Sequence, residues 1–163
     1  MNAPVKSVVS CQVEKVVDCM AELAALFPAH WEEVGIFKDR MPLDPNFDRY
    51  LAMDRADEVL VVVVRRDQVV RGYGVFFIHK NMHYAGTLTA QADIFYIVPE
   101  ERTRGVGKLL FTTAEHELKR RGVKLWWCGF KIDHDLDLFF HSLGFTNYEI
   151  HCAKWLGDDH ASA

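Results

Sequence analysis

Long apolar runs are missing from this sequence. The longest, Val59 to Val64, falls far short of the roughly 18 residues a membrane-spanning helix needs, so nothing is expected to cross a bilayer. Cysteine patterning is missing too: Cys11, Cys19, Cys128 and Cys152 are widely separated, with no C-x-x-C pair and no zinc-ribbon spacing. That argues against a disulfide framework and a metal site, and leaves the four as small apolar core residues. Positive charge is in short supply. The 19 basic and 23 acidic residues sum to -4 with His neutral, so no global field exists to hold phosphate backbones, and nucleic acid is disfavoured as the main partner. Residues 1–11 carry one Lys and no stretch able to serve as a signal-peptide core, so the reducing cytoplasm is the expected compartment.

What is present is a globular balance: 163 residues, 50% hydrophobic, 12% aromatic and 26% charged, enough for one domain with a sizeable core. There is no internal repeat and no low-complexity linker, so that domain is expected to run nearly end to end, with its core at about residues 8–156. Apolar positions Val16, Val17, Met20, Leu23, Ala24 and Phe27 predict a helix over 13–27 that Pro28 stops. Phe47, Tyr50 and Leu51 predict a short second helix with Asp44 near its start. The β-branched run 58–65, a turn at Arg66-Asp67 and the segment 69–79 predict paired strands, and 88–98 predicts a third that ends at Pro99. A helix over 107–121 closes at Gly122, followed by a strand at 123–130, a helix at 135–143 and a last strand at 145–155. The order is mixed α/β, with a strand, helix, strand crossing in the second half.

Between the third strand and its helix lies Pro99-Glu100-Glu101-Arg102-Thr103-Arg104-Gly105-Val106-Gly107-Lys108. A strand, a glycine loop and a helix start make an anion cradle, because the helix N-terminus offers unpaired N–H groups and partial positive charge, and Arg102, Arg104 and Lys108 add full charges. A pyrophosphate suits it. The spacing is neither G-x-G-x-x-G, since residue 110 is Leu, nor a P-loop, since Lys108 follows the wrong glycine pair.

Arg102-Thr103-Arg104-Gly105-Val106-Gly107 does resemble the Q/R-x-x-G-x-G/A signature of the GNAT superfamily of N-acetyltransferases. The flanks agree: Tyr96-Ile97-Val98-Pro99-Glu100 looks like the family's strand end, and Phe140-His141-Ser142-Leu143-Gly144-Phe145 like its closing segment. His30-Trp31-Glu32-Glu33, His83-Tyr84 and Lys131-Ile132-Asp133-His134 are similar to a branch carried by bacteriophages, whose setting would be the host cytoplasm. The resemblance implies a single-domain α/β fold with a mixed, mostly antiparallel sheet, a splayed parallel strand pair and flanking helices. It implies acetyl-coenzyme A as acyl donor, its pantetheine arm bonded by backbone groups of Ile97 and Val98, and its pyrophosphate held by Arg102, Arg104, Gly105, Val106, Gly107 and Lys108.

Direct attack of an amine on a thioester needs a group to take the amine's proton and, usually, one to protonate the thiolate. Asp93, with Gln91 on the same strand face, is the candidate base; a plain sheet-face aspartate is the alternative. The family's usual acid is a Tyr where this sequence has Phe140, which lines the cofactor site but carries no proton. His134, His141, Tyr96 or water are the substitutes, each residue with a bland alternative. His134 and His141, seven apart, would share a helix face, but no further metal ligands accompany them. Trp31, Glu32 and Glu33, beside His30, fall where such folds line the acceptor pocket, and their acidity would suit a cationic amine. The expected activity is acetyl transfer to a primary amine, carried by a small molecule or a protein. A coenzyme A binding protein acting through a protein partner is the alternative, and a toxin acetylating aminoacyl-tRNA comes last because the broad basic surface is lacking. A homodimer is compatible with the sequence.

Overall fold

The computed structural model describes residues 8–102 and 105–157. Five strands form one sheet in the order β1-β2-β3-β4-β5: β1 Val9–Glu14, β2 Val59–Arg66, β3 Val69–Lys80, β4 Leu88–Ile97 and β5 Leu125–Trp127. The first four pair antiparallel and β5 runs parallel to β4. Helices α1 Val16–Ala24, α2 Phe27–Val34 and α3 Phe47–Arg55 belong to the first half, and α4 Val106–Arg120 and α5 Asp137–Ser142 to the second. The expected α/β fold with a splayed parallel pair is the one observed. Among the described residues no helix is long and apolar enough to cross a membrane.

The run Val59–Val64 is apolar at every position because β2 is covered on both faces, which removes the usual alternation. Val59, Val61 and Val63 point to Val16, Cys19, Leu23 and Phe27 of the first two helices. Leu60, Val62 and Val64 point to Leu110, Phe111, Ala114 and Leu118 of α4. Two apolar layers thus clamp one sheet.

Several boundaries differ from the sequence reading. Residues 9–14 form an edge strand on β2, which takes Val13 and Glu14 from the expected helix and adds a strand at 9–12 where none is expected. Pro28 does not stop a helix; it stands in the first turn of α2, where its missing N–H costs nothing. Asn46, not Asp44, caps α3, its side chain accepting from the Arg49 N–H at 3.0 Å. The β2–β3 turn centres on Asp67 and Gln68, both at positive φ (49° and 72°), the twist that suits a two-residue hairpin. Residues 145–155 form no strand, and β5 keeps only three of the expected eight residues. Cys19 is buried and Cys11 and Cys128 half-buried, but Cys152, in that strandless segment, is exposed.

Candidate active site

The parallel pairing of β4 and β5 stops at Gln91 and Trp127, while β4 runs on to Ile97. Residues 92–97 therefore have no strand on that side among the described residues, and the sheet opens there. At the mouth of the opening α4 begins. Gly105 sits at φ 73°, a left-handed conformation that glycine takes without strain. The first bond of α4 runs from Leu109 N–H to the Gly105 carbonyl at 3.0 Å. The N–H groups of Val106, Gly107 and Lys108 precede it and have no intrahelical partner. A Cβ on Gly107 would meet the Phe139 ring at 3.3 Å and Ile97 Cδ1 at 3.8 Å, so helix start, strand edge and α5 converge on this glycine. Lys108 is exposed in the first turn. Arg104 lies outside the described residues.

Asp93 is the residue at which β4 slips register. Val75 pairs with Ile94 and Phe76 with Ala92, leaving Asp93 as a β-bulge. Bulges re-aim side chains, and this one turns Asp93 toward α3, where its Oδ2 accepts from the Tyr50 hydroxyl at 2.6 Å. Asp93 is exposed at the strand surface, and the partial desolvation of its carboxyl against α3 lifts it above the ordinary range, partly offset by that hydrogen bond. Gln91 is exposed on the same strand.

The other candidates are largely engaged with each other. Arg102 forms a two-pronged ion pair with Glu33 (2.9 and 2.6 Å), its Nε–H donates to the Ile97 carbonyl at 2.8 Å, and its guanidinium lies 5.4 Å over the Tyr96 ring. The pair lowers the Glu33 carboxyl and raises the Arg102 guanidinium. Opposite charges that the sequence assigns to two different ligands thus neutralise one another. Glu32 pairs with Lys38 at 3.3 Å, and Lys38 also covers Trp31 at 5.6 Å, so the acidic acceptor wall expected at Trp31, Glu32 and Glu33 carries little net charge. The Ile97 carbonyl faces the open edge but is taken by Arg102, and the Val98 N–H donates into the sheet, to the Arg71 carbonyl at 2.9 Å. His134 precedes α5 and bonds the Glu33 carbonyl at 3.1 Å, while His141 within α5 stands 3.6 Å from Asp137, so the two histidines do not share a helix.

The family model for the acetyltransferase (GNAT) family matches residues 21–145. The chain belongs to that family. No curated protein sequence matches it significantly. Solved structures share its fold. A ribosomal-protein-alanine N-acetyltransferase from Brucella melitensis biovar Abortus 2308 aligns with a TM-score of 0.72 at 14% identity, over 93% of this chain and 99% of that one. An aminoglycoside acetyltransferase from an uncultured soil metagenomic sample, in complex with sisomicin, aligns at 0.69 and 14%, over 93% and 97%. An aminoglycoside N-acetyltransferase in complex with CoA aligns at 0.67 and 17%, over 95% and 99%.

In this GNAT protein Phe140 is 3% exposed, its ring enclosed by Phe95, Phe111, Phe130, Phe139 and Phe145 at centroid distances of 5.3 to 6.0 Å. It is a core residue rather than one lining the open edge. Phe139, which sequence reasoning passed over, is the ring against Gly107. A hydroxyl added at Phe140 would enter an apolar shell without a partner, so Phe140→Tyr is expected to cost roughly 1–3 kcal/mol and to bring no gain in turnover. Denaturant melts and initial rates check both.

Two residues that the sequence places in the acceptor wall and the loop, His30 and Glu101, turn out to be anchors, a role sequence reasoning did not assign. Glu101, 4% exposed, makes a two-pronged pair with Arg66 at 2.6 Å per bond and fixes the turn that feeds the glycine loop. His30, 8% exposed, shares a 2.8 Å hydrogen bond with the Tyr73 hydroxyl and stacks on Tyr96 at 5.0 Å, bracing β3 and β4 behind Asp93. Their partners lie tens of residues away, and no local pattern marks them. Burial pulls the His30 imidazole from 6.5 down to about 4. The unfolded chain therefore takes up this proton first. Stability from His30 is whole above pH 6.5 and is lost as pH falls toward 4, by about 3 kcal/mol. Denaturant titrations across that window should show the loss, and His30→Gln should flatten it.

Proposed function

We propose that this protein transfers acetyl from acetyl-coenzyme A directly to a primary amine, borne by a small molecule or a protein, with Asp93 as the base. The observation that carries the reading is that, among the described residues, one opening of the sheet is bordered by a helix start whose first N–H groups have no intrahelical partner, a strand edge without a neighbouring strand and a carboxylate on a bulge. The residues suit the donor. The N–H groups of Val106, Gly107 and Lys108 would hold its pyrophosphate with the Lys108 ammonium, and the edge of β4 from Ala92 to Ile97 would take its extended arm. A family whose members use acetyl-coenzyme A supports the same assignment. The donor, when bound, supplies an acetyl group activated as a thioester.

The chain's own part is positioning and one proton. Asp93, lifted by partial desolvation, accepts the proton that the amine sheds as its nitrogen forms the new bond. The departing thiolate takes its proton from water, since the position where the family carries its Tyr is held here by Phe140, closed off in the core. Arg102 bridges α2 and the end of β4 and keeps the mouth of the opening in shape. The likeness of residues 30–33 to a bacteriophage branch supports a host-cytoplasm setting.

Phe140 favours one second reading, a coenzyme A binding protein without efficient chemistry that works through a protein partner. Mass spectrometry of a broad amine panel with acetyl-coenzyme A, with and without the protein, separates the two. Acetylated product that depends on the protein supports the transferase. Bound coenzyme A with no product from any amine supports the binding protein.

A further inference from the structure

Tyr50 stands on α3, and nothing in the sequence links it to Asp93, from which 43 positions separate it. Its ring leans on Phe77 of β3, with centroids 6.1 Å apart, and lines a cavity of about 250 Å³ together with Asp44, Asn46, Arg49 and Met53. At the far end of that ring the hydroxyl donates to Asp93 Oδ2 at 2.6 Å, within the short range of a charge-assisted bond. This is the one hydrogen bond of the Asp93 side chain among the described residues. A carboxylate on a bulge would otherwise turn about its own bonds. Tyr50 in turn is fixed by the Asn46 cap of α3 and by Phe77.

We propose that Tyr50 is a positioning residue of the transferase, holding one oxygen of Asp93 so that the other is aimed at the acceptor amine. The inference rests on Asp93 being the base. Burial and the neighbouring carboxylate raise the Tyr50 phenol well above its ordinary value, so it stays protonated and remains the donor throughout. The proton of the amine goes to the free oxygen of Asp93. The titratable groups around Asp93 are Tyr50 of α3, Tyr73 of β3 with His30 of α2 bonded to it, and Tyr96 on its own strand. β5 brings only Leu125, Trp126 and Trp127.

The test is Tyr50→Phe in the full chain, which keeps the ring on Phe77 and deletes only the donor, with Asp93→Asn alongside. Phenethylamine and spermidine serve as probe amines with acetyl-coenzyme A, and ¹³C NMR follows the Asp93 carboxyl carbon with coenzyme A bound. Removing the bond leaves desolvation unopposed, so the acid limb of kcat/KM and the carboxyl titration should both move up by about one pH unit. The value of kcat should fall about tenfold while the KM for acetyl-coenzyme A holds. An acid limb, a carboxyl titration and a kcat that match the natural chain, with Asp93→Asn inactive, overturn the positioning role and leave the base in place. Full activity in Asp93→Asn overturns the base and this inference with it, as does the absence of turnover with either amine. The carboxyl titration needs no acceptor, so an unmoved carboxyl overturns the role of Tyr50 by itself.

Discussion

Replacing Asp93 by Asn is expected to lower amine acetylation about a hundredfold or more while coenzyme A affinity stays where it was, the scale for loss of the proposed general base. The substitution keeps the shape of the side chain and an oxygen for the Tyr50 hydroxyl, so the bulge and its contact with α3 survive. It removes only the capacity to take a proton. Because partial desolvation lifts the Asp93 carboxyl, the natural chain should gain activity as pH rises through a value above that of an ordinary aspartate. That limb should vanish in the variant. Steady-state rates against pH, with coenzyme A binding by calorimetry, test both halves. Unchanged rates would make Asp93 a structural residue of the β4 bulge.

Gly107→Glu is expected to abolish measurable coenzyme A binding, a loss of about a hundredfold or more in affinity. The reasons are steric and electrostatic. A Cβ at Gly107 meets the Phe139 ring at 3.3 Å, tight but relieved by a small shift, so the fold should hold. The new carboxylate would then sit among the unpaired N–H groups at the start of α4, where the helix dipole welcomes a negative charge. It would occupy the place proposed for the pyrophosphate and repel it. The variant should melt at or near the temperature of the natural chain yet give no heat of binding. Normal coenzyme A affinity in a folded Gly107→Glu protein would remove the α4 N-terminus from the cofactor site.

The parts of the fold legible in the sequence are those whose pattern is set by local burial. The run at β2 announces a strand covered on both faces, and Leu110, Phe111, Ala114 and Leu118 announce the inner stripe of α4. The glycine loop is legible because the motif is contiguous and Gly105 answers a local demand of backbone conformation, although the space needed at Gly107 is set by the distant Phe139. What was not legible depends on distant partners. Val13 and Glu14 read as the start of a helix because Val13, Val16 and Val17 join into one apolar cluster, and only the edge of β2 makes residues 9–14 a strand. The alternation at 145–155 specifies faces but supplies no neighbour, and no ladder forms. At the site, Asp93 could be picked out as a carboxylate in an apolar strand. The bulge that aims it follows from the register with β3, and its bond to Tyr50 from the packing of α3, neither of which a linear pattern contains. Arg102 and Glu33 look like ligand groups one at a time because their pairing becomes visible only when α2 meets the end of β4.

The central claim is that the opening between β4 and β5, with the start of α4, is built for an acyl-coenzyme A. Thermal denaturation with and without acetyl-coenzyme A tests it most directly, since a ligand that binds only the native state stabilises it by about 2.7 kcal/mol at a hundredfold excess over Kd. Tm should rise by several degrees, by more as ligand concentration grows, and should not rise in Gly107→Glu. An unchanged Tm at millimolar acetyl-coenzyme A would contradict it.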